Sequence, residues 1–77
     1  MNKVLLRLEI AKNNRILEVY LDSRLSFEDN FKLLTNIADI KDLDRYRIYD
    51  ANKGIFLKKD IPISEFAIKY FMSFKLL

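Results

Sequence analysis

Seventy-seven residues, with 14 basic and 11 acidic side chains and a net charge of +3, bound the chain to one small domain, residues 1–77, of mixed surface charge. A domain this size buries only about 60% of the surface its unfolded chain exposes, so its apolar residues must pack efficiently into a single core. The sequence has no cysteine and no histidine, which removes disulfides, thiolate chemistry, the usual zinc sites and the commonest general base. Hydrophobic residues make up 51% of the chain, and one glycine and one proline are all that interrupt them, a composition for an ordered domain. Arg7 and Glu9 break the first apolar run, so it does not read as a signal peptide. No apolar run approaches the roughly 18 residues of a membrane span, and no direct membrane insertion is expected.

Lys3 to Ile10 alternates Leu6, Leu8 and Ile10 with Leu5, Arg7 and Glu9, the pattern of a strand with one apolar face. Ala11-Lys12-Asn13-Asn14 is turn-prone, and Arg15 to Leu21 alternates again, with Leu17, Val19 and Leu21 inward and Ile16, Glu18 and Tyr20 outward. A hairpin is the natural reading. Ser26 is an N-cap candidate for the one good helix, with Asp29 placed to return the bond. Phe27, Phe31, Leu34 and Ile37 or Ala38 recur at helical spacing, Leu33 and Ile40 widen the stripe, and the helix is expected to end near Ala38 or Asp39. The acidic connector from Asp39 to Asp44 lacks the turn glycine and terminal glutamate of a calcium loop.

Arg45 to Tyr49 reads as a third strand, with Tyr46 and Ile48 inward. Asp50 to Gly54 favours a turn with left-handed backbone, and Ile55-Phe56-Leu57 is a short edge strand. Pro62 confines residues 58–62 to a loop. Ile63 to Ile68 suits a single helical turn, and Phe74 and Leu76 alternate with Ser73 and Lys75 as a final half-buried strand. The core is expected from Leu6, Leu8, Leu17, Val19, Phe31, Leu34, Ile48, Leu57, Ile68 and Phe74.

Gly54-x-x-Leu57, Ile63-Ser64-Glu65-Phe66-x-Ile68 and Phe74-x-Leu76 resemble the C-terminal half of ubiquitin, and the order of elements extends the resemblance over nearly the whole chain. The N-terminal half matches less closely, with a longer loop between Val19 and Ser26. The resemblance implies an α+β, β-grasp (ubiquitin-like) fold: a mixed sheet of four to five strands on one main helix, with a short helical turn near 63–68. Conjugated ubiquitin-like proteins and sulfur carriers need a free Gly-Gly tail. This sequence ends Phe74-Lys75-Leu76-Leu77, so it is not expected to be conjugated. In that respect it is similar to the YukD and EsaB family, bacterial accessory components of type VII secretion. That resemblance implies a cytoplasmic, non-catalytic protein whose partner is a component of the secretion machinery.

Two surfaces are candidate contacts. Leu5 and Arg7, Arg47 and Tyr49, and Lys75 and Leu77 are expected on adjacent strands, facing away from the helix, a composition suited to a protein partner. Tyr70, Phe71 and Met72 place large apolar side chains where ubiquitin-like chains put a polar turn; they fold inward or form a contact, a homodimer among them. No catalytic, cofactor-binding or metal-ligating set is expected. Nucleic-acid binding is the alternative, resting on Arg7, Arg47, Lys75 and the Lys53, Lys58 and Lys59 cluster; charges alternating in sign argue against it.

Overall fold

The computed structural model describes residues 2–34, 45–66, 68 and 71–77. Strands β1 (Lys3–Ile10) and β2 (Arg15–Asp22) form the expected hairpin, in the register Leu5↔Tyr20, Arg7↔Glu18, Glu9↔Ile16. Asn14 takes the turn's left-handed backbone, φ 56°, which asparagine tolerates well. The helix α1 begins at Phe27 and is described to Leu34; the expected end near Ala38 or Asp39 and the connector to Asp44 lie outside the described residues.

Ser26 is the N-cap: its Oγ accepts the Asp29 N–H at 3.1 Å. The Asp29 carboxylate lies 3.9 Å from Lys32 Nζ, one turn on, rather than at the cap. A second first-turn donor, the Glu28 N–H, is satisfied by the Lys59 carbonyl at 3.0 Å. Ile63 N–H to Leu25 O and Ser64 N–H to Ser23 O, at 3.0 and 2.8 Å, then fasten the Pro62 loop across the helix start. The helical turn is shorter than expected, a 3-10 turn at Ile63–Glu65 that buries Ile63; Phe66 is already extended.

The third strand, β3, is Ile48–Asp50, not Arg45–Tyr49. Its limits follow from its neighbours. Asp50 ends it because its Oδ1 accepts the Asn52 and Lys53 N–H groups at 3.0 and 3.3 Å, an Asx turn, while Gly54 closes the loop at φ +67°. At the other end Arg47 still pairs with Leu77, exchanging both backbone bonds at 2.8 and 2.9 Å. β4 (Ile55–Leu57) and β5 (Ser73–Leu76) complete a mixed sheet ordered β2-β1-β5-β3-β4, with β1 and β5 parallel. This is the expected β-grasp arrangement.

Phe27 is the hub of the core, with ring centroids 6.0 Å from Phe31, 6.0 Å from Phe74 and 6.2 Å from Phe66. Leu6, Leu8, Ile10, Leu21, Ile48, Ile63 and Leu76 are buried around it. Of the expected core, Leu17, Val19, Leu34 and Ile68 are half-buried at its margin. Leu33 does not widen the helix stripe: it is 55% exposed, on the far side from Phe27 and Phe31.

Asn30 is the buried polar tie. Its Oδ1 accepts the Asp22 N–H at 2.8 Å, and its Nδ2 donates to the Asp22 and Ser26 carbonyls at 3.0 and 2.9 Å. Asn30→Ala leaves those strand-end groups unpaired and should cost about 1–3 kcal/mol in chemical denaturation. Phe31→Ala should cost about 3–5 kcal/mol, a large share of so small a domain's stability.

Asp22 also binds Arg24, Nη2 to Oδ2 at 2.8 Å. The Arg24 side-chain hydrogen bond, aided by the Arg24 backbone N–H, holds its carboxyl at about 2, against an ordinary 3.8. A depressed folded-state pKa means that the stabilisation is complete above the ordinary value and is lost as pH falls through about 2. An NMR titration of the Asp22 carboxyl should show that midpoint, and Arg24→Ala should return it towards 3.8.

Candidate functional site

β-Strand alternation sends Leu6, Leu8 and Ile10 to the helix, so Leu5, Arg7 and Glu9 emerge on the opposite, open face. Register then carries one row across all five strands: Ile16↔Glu9↔Lys75↔Tyr49↔Phe56. Five of the six residues expected on this face, Leu5, Arg7, Lys75, Tyr49 and Arg47, stand on the neighbouring strands β1, β5 and β3 or immediately before β3. Leu77, the sixth, pairs with Arg47 just past the end of β5. Arg47, Lys75 and Leu77 are exposed; Leu5, Arg7 and Tyr49 are half-buried.

Phe56 completes the patch. The Arg47 guanidinium lies 4.2 Å over its ring, and its centroid is 5.0 Å from that of Tyr49. The three side chains therefore form one cluster, the two rings tilted by 54°, with Phe56 still 46% exposed and Leu77 45% exposed. Sequence reading assigned Phe56 only to an edge strand. The signal was its register opposite Tyr49, which needs the β3–β4 turn to be placed first. Arg7 lies nearer the other end of the face, between Glu18 and Ser73, with its Nε buried and without a hydrogen-bond partner.

The 70–72 corner is divided. Tyr70 lies outside the described residues. Met72 turns inward: it packs against the core and lines a cleft of about 240 Å³ with Phe56, Phe66, Ile68 and Phe74. Phe71 is 43% exposed at φ 67°, a left-handed conformation that a bulky residue rarely adopts. Its N–H donates to the Leu5 carbonyl at 2.8 Å, which sets the corner at the Leu5 end of the open face. The two surfaces expected from sequence are therefore contiguous.

Of the lysine cluster, Lys59 is committed inside the chain, donating to the Tyr46 carbonyl at 3.0 Å. Among the described residues no group of three or more aspartate or glutamate side chains is placed to hold a metal ion, and no helix is long and apolar enough to cross a membrane.

No protein-family model matches the chain, and no curated protein matches it significantly. Solved structures do. One, described as "Molecular Mimicry of SUMO promotes DNA repair", superposes with a TM-score of 0.81 at 14% identity, over 100% of this chain and 92% of that one. Another, the UBL domain of Plasmodium falciparum Dsk2, superposes with a TM-score of 0.74 at 16% identity, over 96% and 95%. The fold is ubiquitin-like.

Corner variants should separate the two neighbouring side chains. Phe71→Gly should leave stability unchanged or raise it by up to about 1 kcal/mol, because glycine relieves the left-handed backbone. Met72→Ala should lower stability by about 1–3 kcal/mol, measured by urea denaturation.

Proposed function

We propose that the chain is a non-catalytic binding module that recognises a protein through the open sheet face, with Arg47, Tyr49, Phe56 and Leu77 at the centre of the contact and Leu5, Arg7, Lys75 and Phe71 around it. The observation that carries this reading is the Arg47–Phe56–Tyr49 cluster, which holds an arginine and two aromatic rings together at the surface. Those residue types dominate binding hot spots, because a rigid aromatic or a planar guanidinium fills a partner's pocket at little entropic cost. Arg7, with an unpartnered buried Nε, offers a further donor to an acceptor brought by the partner. The finer reading is that the partner is a component of a bacterial type VII secretion machinery, met in the cytoplasm. It is supported by the resemblance in sequence layout and by the ubiquitin-like fold.

The test is affinity purification of the tagged protein from the cell that encodes it, beside Arg47→Glu combined with Leu77→Asp. The native protein should retain a secretion component, and the double variant should lose it while unfolding at the same denaturant midpoint. Loss of an anchor worth more than about 2 kcal/mol weakens binding by roughly 30-fold. Retention unaffected by the double variant would exclude the face. Retention of proteins unrelated to secretion, still lost in the variant, would keep the face and exclude the partner class.

A further inference from the structure

The helix side of the sheet is not filled evenly. β3 alternates, so Ile48 and Asp50 point to the helix side and Tyr49 to the open face. Ile48 takes its place in the core, whereas Asp50, 2% exposed, stands where alternation calls for an apolar side chain. Its Oδ1 is drawn back to its own turn, accepting the Asn52 and Lys53 N–H groups, and the short side chain leaves space beyond it. That space is the cleft of about 240 Å³ bounded by Leu57, Phe66, Ile68, Met72 and Phe74. Asp50, Lys53, Ile55 and Lys58 also line it. Leu57 and Phe74 are buried, whereas Lys53, Ile55 and Lys58 are exposed, so the cleft has an apolar floor and a basic mouth.

We propose that this cleft binds a small amphipathic anion, a single aromatic ring on a short chain that ends in a carboxylate. The volume sets the size. Water takes roughly 30 Å³ per molecule and a void of about 150 Å³ already accepts benzene, so one ring with a short tail fits and a long acyl chain does not. The lining sets the chemistry, an apolar cavity with a few polar groups at one end. Met72 supplies an adaptable wall and a polarisable sulfur that favours contact with a ring. Lys53 and Lys58 join no ion pair among the described residues, so both ammonium groups are available to the carboxylate. Asp50 is itself an anion, so the ligand's carboxylate belongs at the lysine mouth and its ring inside. The cleft lies on the helix side of β3 and β4, and Phe56 is the one residue it shares with the cluster on the open face.

The experiment is an NMR titration of the whole chain with phenylpropionate, beside its uncharged amide, read at methyl groups and backbone amides. The acid should bind with a Kd of about 1 mM or tighter, as roughly eleven heavy atoms allow, and shift the methyl signals of Ile55, Leu57, Ile68 and Met72. The amide should bind roughly three- to tenfold more weakly, because two exposed ammonium groups contribute modestly. Lys53→Gln with Lys58→Gln should bring the acid down to the affinity of the amide, and leave both amide binding and the denaturant midpoint unchanged. The proposal is overturned if these methyls do not shift at roughly ten times that concentration. Equal affinity for acid and amide, shifts confined to Arg47, Tyr49 and Lys75, or acid binding undiminished by the two glutamines would each overturn it as well. Arg47→Glu with Leu77→Asp should leave the titration unaltered, so this site and the sheet face fail independently.

Discussion

The open face and the edge of the hairpin both follow from the position of β1 between two strands. Its alternate residues differ in two respects at once: even-numbered ones enter the core and bond to β2, odd-numbered ones emerge on the open face and bond to β5. Side-chain direction and hydrogen-bond direction share a period of two, so a single shift of register would exchange both. Burial of Leu6, Leu8 and Ile10 against the Phe27 hub makes that shift prohibitive. Each fully buried leucine or isoleucine side chain contributes about 1.5–3 kcal/mol, and a slip would exchange all three with Leu5, Arg7 and Glu9.

The same coupling runs outward to β2. Because Leu17, Val19 and Leu21 both face inward and bond to β1, Ile16, Glu18 and Tyr20 send their side chains to the open face and their backbone groups away from β1. At Asp22 the helix takes the place of a neighbouring strand: the buried Asn30 amide accepts the Asp22 N–H and donates to its C=O. The helix start is held in turn by Ser26 and by the Pro62 loop. A polar network of few residues thus sets both the helix position and the length of exposed edge.

Most of the fold was legible because it rests on period-two runs and turn chemistry. β1, the β1–β2 hairpin, the Ser26 cap, the Gly54 turn and β5 all carry local signals. The alternation of Tyr46 and Ile48 points to a strand from Arg45, whereas the ladder, Ile48–Asp50, is decided by Leu57, Leu76 and the Asp50 Asx turn, partners remote in sequence. Leu33 is apolar and next to the stripe in sequence, yet the helix turns it away from Phe27 and Phe31. On the open face, the β1, β3 and β5 residues could be read by parity. Phe56 could not, since a three-residue strand gives parity but not which neighbour its ring meets.

Phe71 shows how far residue type departs from what backbone geometry alone would choose. The corner must reverse direction between Ile68 and β5 while delivering its N–H to Leu5, and a left-handed residue does this at least cost when it is glycine. A phenylalanine there raises the backbone energy by about 1–2 kcal/mol and leaves much of its ring in water. Backbone geometry alone therefore does not account for the residue. Tyr20 stands opposite Leu5, whose carbonyl accepts the Phe71 N–H, while Phe56, Tyr49 and Arg47 gather at the far corner.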